Sequence, residues 1–177
     1  MKIVFLDIDG VLNVPSAELG FYYALGIDFD KYIKTEDRIR RDTINWSPSA
    51  LYNLYRIIDE TKAKIVISST WRLGAELDIM KAWFQVPLLQ NAVIDKTPSF
   101  HPKWNDIVVR VPRGSEINAW IEQYKKDNGC KSIDSIAIID DDSDMWPLMS
   151  DFFQTIGYDG LNWETASKII EHLNKEK

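Results

Sequence analysis

The chain has 177 residues, 45% of them hydrophobic, enough for one well-cored domain and too few for two full ones. Its net charge of −6 disfavours non-specific nucleic-acid binding, and its one cysteine, Cys130, excludes an internal disulfide or a cysteine metal cluster and fits a reducing compartment. No apolar run approaches the ~20 residues of a membrane helix, and Asp7 and Asp9 interrupt the first run, which rules it out as a signal-peptide core. A cytoplasmic protein without a membrane partner is the expectation.

In chain order, the first element is a strand, Ile3-Val4-Phe5-Leu6, ending at Asp7. Residues 14–46 break the pattern with Phe21-Tyr22-Tyr23, Asp28, Asp30 and a basic segment holding Arg38, Arg40 and Arg41. They read as a small cap inserted in a single domain spanning 1–177, with the aromatics as packing and the arginines as a solvated face. Ser47-Pro48 is an N-cap and first-turn pair, and Leu51, Leu54, Tyr55 and Ile58 recur behind it on one helical face. A second strand, Ile65-Val66-Ile67, ends at Ser68, and a stripe of Leu73, Leu77, Met80 and Phe84 predicts the next helix. Val93-Ile94 is a weaker strand. Residues 95–112, with three prolines, His101 and Trp104, read as a second elaboration over the site. Ile117, Trp120, Ile121 and Tyr124 predict a third helix, with Trp83 and Trp120 as core tryptophans. Ile136-Ala137-Ile138-Ile139 is a strand ending at Asp140; residues 152–156 form a weaker one. Ala166, Ile169, Ile170 and Leu173 mark the last helix, with His172 in its final turn as a structural residue at the negative end of the dipole.

Three near-continuous β-branched runs alternating with amphipathic helices predict an α/β fold: a three-layer Rossmann-like sandwich around a central parallel sheet, carrying a small cap insertion. Ligands of such sheets bind beyond the carboxyl ends of the strands. The polar residues that terminate the three best strands therefore converge at one edge. Asp7 and Asp9 face the same side of a strand end, and Gly10 permits a sharp turn that brings backbone N–H groups near a ligand. With Asp140, Asp141, Asp142 and Asp144 added, the carboxylates repel strongly unless a cation sits among them. Hard oxygen donors beside a phosphate suit Mg²⁺.

Asp7-x-Asp9-Gly10-Val11, then Ile65-Val66-Ile67-Ser68-Ser69, then Ile138-Ile139-Asp140-Asp141 resemble, in that order, the motifs of the haloacid dehalogenase (HAD) superfamily, specifically its phosphatase branch. The resemblance spans about residues 3–144. It implies that Asp7 is the nucleophile of an aspartyl-phosphate, and that Asp9 serves as general acid and then base. It further implies that Ser68 donates to the phosphoryl oxygens and that Asp140 binds Mg²⁺ with Asp7 and the Asp9 backbone carbonyl. Asp141 reads as a supporting metal residue, Asp144 as a further metal candidate, and Asp142 as solvent-facing. The family's usual lysine cation is replaced by Arg113, with Lys96 and Lys103 as fallbacks, and Arg is not interchangeable with Lys. Ser69 or Thr70 caps the next helix, and Ser69 and Gly10 are also candidate substrate contacts. Arg72 reads two ways, as a substrate contact or as a surface cation paired with Glu76 one turn on. The run Ser68-Ser69-Thr70-Trp71-Arg72, followed by Arg113-Gly114-x-Glu116-Ile117 with Trp120 and a triple Asp, is similar to the phosphatase-like domains of bacterial RNA-repair proteins.

The expected reaction is Mg²⁺-dependent hydrolysis of a phosphomonoester whose partner is a phosphorylated small molecule, a nucleotide or a nucleic-acid end. Two rivals stand beside it. A non-catalytic binding module on the same scaffold draws on the Arg-for-Lys departure. A dehalogenase would leave Asp9 and the metal ligands without a purpose.

Overall fold

The computed structural model describes residues 1–14, 46–100, 111–130 and 132–175, together with the backbone of 103–104 and 107–108. The proposed cap lies almost wholly outside the described residues, as do His101 and the Arg38 segment. Among the described residues there are seven strands: β1 (Lys2–Leu6), β2 (Lys64–Ile67), β3 (Val93–Lys96), β4 (Lys103–Trp104), β5 (Ile107–Val108), β6 (Ser135–Asp140) and β7 (Phe152–Gln154). The α-helices among the described residues are α1 (Pro48–Thr61), α2 (Leu77–Trp83), α3 (Pro87–Ala92), α4 (Arg113–Asn128) and α5 (Trp163–Asn174). Five strands form one sheet in the order β3-β2-β1-β6-β7 with every pairing parallel. β4 and β5 pair as an antiparallel hairpin of their own.

Alternation along β1 decides which side chains meet which layer. Val4 and Leu6, with Ile65, Ile67, Ala137 and Ile139, pack against Leu54 and Ile57 of α1, Met80 of α2, Leu89 of α3 and Ile169 and Leu173 of α5. Ile3 and Phe5, with Val66 and Ile138, pack on the opposite face against Ile117, Trp120 and Ile121 of α4. Both faces are covered, which is why the central strands tolerate no polar residue before their ends. This is the expected α/β Rossmann-like sandwich.

Local signals account for most boundaries. The Ser47 side chain accepts from the Ala50 N–H at the start of α1, and Pro48 occupies the first turn. The buried face of α1 runs through Asn53, Leu54, Ile57 and Ile58, so it is rotated away from Tyr55, which is 36% exposed. The second helical stripe is corrected. Residues Thr70–Gly74 form a 3₁₀ turn, α2 begins only at Leu77, and Leu73 stands 54% exposed. A 3₁₀ turn advances three residues per turn, so the 3.6-residue register breaks there. Trp120 is core as expected, its indole N–H donating to Asp95 at 2.7 Å, whereas Trp83 is only partly buried. His172 bridges the Ile136 carbonyl and Asp151, a structural role.

Candidate active site

Five strand ends lie side by side at the carboxyl edge, joined by one row of backbone hydrogen bonds. Thr97 donates to Ile67, Ser68 to Leu6, Asp7 to Ile139 and Thr155 to Asp140, each at 2.9 or 3.0 Å. The row brings Ser68, Asp7 and Asp140 onto neighbouring strands, the convergence expected from the three apolar runs. Asp7, Ser68 and Asp140 are all buried.

Asp7, Asp140 and Asp141 each offer a carboxylate oxygen, and these oxygens lie within 4.8 Å of one another. Arg113, at the first position of α4, sends Nη1 to Asp7 Oδ1 at 2.7 Å and to Asp140 Oδ2 at 2.9 Å. Lys96, the described fallback, instead donates to the carbonyl oxygens of Ala75 and Arg72. Burial works against the Arg113 charge, but the carboxylates of Asp7, Asp140 and Asp144 outweigh it and hold the guanidinium protonated. Burial and then the Asp7 charge push Asp140 up to about 7, against the attraction of Arg113 and a hydrogen bond from the Asp142 N–H. The same two causes raise Asp141. When all three are ionised, the carboxylates facing one guanidinium leave two negative charges over, the charge of one divalent cation. An all-oxygen donor set of this kind fits Mg²⁺.

Asp9 and Asp144 stand outside this three-carboxylate group. The Asp9 carboxylate turns to its own loop and to the next strand's loop, accepting from Asn13 Nδ2 and from Trp71 Nε1, each at 2.7 Å. Asp144 caps α4 from another element, its carboxylate accepting from the Arg113 N–H and its carbonyl from the Gly114 N–H. Pro112 occupies the N-cap position of α4 without a side-chain cap hydrogen bond, so the acidic loop supplies what it lacks. Gly114 is required by this packing: a Cβ there would lie 2.3 Å from the Met145 carbonyl carbon. Asp142 is exposed, as expected.

Arg72 and Gly10 are placed differently from expectation, while Ser69 takes the capping role expected of it. Both readings of Arg72 are corrected. Arg72 is 4% exposed, and its partner is Glu116 of α4 rather than Glu76. Its Nε donates to Thr97 O, Nη1 to Ser68 O and Ser69 O, and Nη2 to Pro98 O and Glu116. With every one of its nitrogens committed, it ties the β2 loop, the β3 loop and α4 together and has none left for a substrate. Glu116 completes the clamp by accepting from the Phe100 N–H. Ser69 is fully buried and its Oγ accepts from the Trp71 N–H, capping the 3₁₀ turn. The Gly10 N–H, expected to face a ligand, instead donates to Asn13 O. Gly10 has φ +71°, and a Cβ there would strike the Asp141 carboxylate at 2.3 Å.

Ser68 stands apart from these. Its hydroxyl is fully buried and has no hydrogen-bond partner among the described residues, and the Thr97 hydroxyl on the next strand end shares that state. Buried hydroxyls are normally paired, so an unpaired one beside buried carboxylates is suited to a group that arrives from outside. Reading the sequence missed Thr97, Asn13 and Thr155, whose hydroxyl bonds the Gly10 carbonyl and ties β7 to the Asp7 loop. For Thr97 and Thr155 the available signal is a β-branched residue just after each outer strand; Asn13, in the loop after the central strand, carries none.

The family model for the HAD domain in Swiss Army Knife RNA repair proteins matches residues 3–166. The chain belongs to this family. No curated protein and no solved structure matches it. The matched span covers β1 through the first turns of α5, and so contains every strand end of the site. As a HAD domain the chain carries phosphatase-like hydrolase chemistry in general, in a family that generally uses Mg²⁺. Among the described residues, no helix is long and apolar enough to cross a membrane.

Proposed function

We propose that this HAD domain hydrolyses phosphomonoesters through an aspartyl-phosphate on Asp7, with Mg²⁺ bound by Asp7, Asp140 and Asp141 and by the Asp9 backbone carbonyl. The observation that carries the reading is the grouping of three carboxylates against the single guanidinium of Arg113, beside an unpaired buried hydroxyl at Ser68. A site built to hold a divalent cation and a phosphoryl group has both features; a purely structural strand edge has no use for either. Bound Mg²⁺ would offset the charge of the carboxylates and of the phosphoryl oxygens.

The chain's own residues then divide the work. Arg113 holds the Asp7 carboxylate in place and adds a fixed positive charge where the phosphoryl group transfers. The Asp7 carboxylate attacks phosphorus while the ester P–O bond breaks, and Asp9 gives its proton to the departing alkoxide. The Ser68 hydroxyl donates to a phosphoryl oxygen. In the second half a water attacks the acyl phosphate, Asp9 takes its proton, and phosphate leaves with Asp7 restored. The family's RNA-repair setting supports a nucleotide or a nucleic-acid end as the esterified group, and the net charge of −6 favours a short or terminal element over a long duplex.

The test is hydrolysis of p-nitrophenyl phosphate and of 3′- and 5′-phosphorylated oligonucleotides by the full chain. Activity with Mg²⁺, its loss in EDTA, and a drop of at least about 10³-fold in Asp7→Asn are expected. An Asp7→Asn chain that retains turnover rules out the covalent route. A folded chain that binds phosphate esters but never cleaves them favours a binding module instead.

A further inference from the structure

Trp71 has no place in the scheme above, yet its indole N–H lies 2.7 Å from Asp9 Oδ2. Asp9 Oδ1 is taken by Asn13 Nδ2, also at 2.7 Å, so the carboxylate is held from both sides by donors on different elements. Asn13 belongs to the loop that follows β1, where its carbonyl also accepts from the Gly10 N–H. Trp71 belongs to the 3₁₀ turn that follows β2, begun by Ser69. Asp9 itself is exposed, and an exposed aspartate on a turn has a free choice of rotamer unless something fixes it. The indole ring is in turn fixed: it meets Trp83 of α2 edge-on at 5.8 Å and 86° and packs on the main core. Its backbone neighbour Arg72 is clamped to three elements. The indole N–H is a donor only, with no second role to compete.

We infer that Trp71 is a positioning residue for Asp9, its indole N–H fixing the orientation from which the acid–base carboxyl reaches the leaving-group oxygen. The inference rests on the phosphatase reading. It assigns Trp71 a specific effect: removing the N–H loosens proton delivery and leaves phosphate capture and nucleophilic attack untouched. Esters with poor leaving groups depend on that proton, whereas p-nitrophenolate leaves without it.

The test compares wild-type chain, Trp71→Phe, Asp9→Asn and the double variant, each with Mg²⁺, on p-nitrophenyl phosphate and on phenyl phosphate. Phenylalanine keeps an aromatic ring against Trp83 and deletes the N–H. Because Asp9 also serves the second half-reaction for either ester, the readout is alcohol release in a single turnover with enzyme in excess. Trp71→Phe is expected to slow it about tenfold on phenyl phosphate, with the half-saturating concentration held within about twofold. On p-nitrophenyl phosphate it is expected to slow release less than about twofold, as loss of orientation of a general acid requires. In the Asp9→Asn background the same substitution adds no further loss on phenyl phosphate. Equal losses in single-turnover alcohol release on both esters, an effect confined to the half-saturating concentration, or full additivity with Asp9→Asn overturn the inference while the wild-type activity keeps the phosphatase reading intact. A folded wild-type chain that hydrolyses neither ester overturns both.

Discussion

Arg72 and Arg113 lie at the same edge of the sheet, both largely buried, and their surroundings differ in charge. Arg72 faces one carboxylate, Glu116, and four backbone carbonyls, so its donors and its charge are both matched. Arg113 faces Asp7 and Asp140 directly, with Asp141 in the same group and Asp144 adding to the field. A balanced cation serves as a tie between segments; an outnumbered one marks a place where something else has to bind. Burial of an arginine therefore says little about function until the charges around it are counted.

That contrast can be broken most directly at the clamp. Arg72→Met leaves Glu116 buried without its partner, and a loss of about 3–5 kcal/mol in unfolding free energy is expected by urea titration. An unchanged midpoint would mean that Arg72 is no structural tie. At the other arginine, Arg113→Ala is expected to lower kcat by about 10²–10³-fold with a smaller loss of stability than Arg72→Met. Arg113→Lys should recover at least tenfold of that loss, because both ion pairs leave from the single Nη1 and an ammonium is a single charged centre too. Equal activity of the Lys and Ala variants would show that the guanidinium plane matters more than its charge.

The Ser68 hydroxyl sharpens the comparison at a smaller scale. Removing an unpaired buried hydroxyl relieves a desolvation cost of about 1–3 kcal/mol, so Ser68→Ala should be neutral or stabilising while kcat falls. Parallel losses of stability and activity would point to a partner for that oxygen. The smallest expected effect is the pH dependence of Mg²⁺ protection. Asp140 holds its proton up to about 7, above the usual carboxylate range, so in the metal-free chain its contribution to stability is largest below the unfolded carboxylate range. That contribution is lost as pH rises towards 7. Mg²⁺ must displace this proton, so its stabilising effect at fixed concentration should be greater at pH 8 than at pH 5.5, by about 1–2 kcal/mol. Thermal shifts at both pH values measure it, and a larger shift at the lower pH would contradict the assignment.

Much of the balanced half of this comparison was hidden in the sequence, and much of the unbalanced half was plain. Apolar β-branched runs that stop at Asp7, Ser68 and Asp140 announce both parallel strands and a polar edge, because the two faces of the sheet need continuous apolar residues and the ends do not. Arg113 is singled out by the family's need for a cation between the second and last motifs, and it opens α4 beside Asp7 and Asp140. Arg72 carries no such signal. Glu76 stands four residues on and suggests a surface pair, whereas the real partner, Glu116, is 44 residues away and reaches it only through the fold. Leu73 was misread because a 3₁₀ turn imitates one turn of the α-helical pattern before departing from it. Asp144 looked like a ligand because it sits in an acidic run; its role as a cap depends on where α4 begins in space.

The seating of Gly114 against the backbone of Met145 and Trp146 has a consequence for ionic strength. Contact between main chains, together with the Asp144 cap, sets how far Arg113 stands from the carboxylates, and dissolved ions cannot dilute steric contact as they dilute attraction between exposed charges. Molar potassium chloride should therefore leave the turnover of ester already bound nearly unchanged.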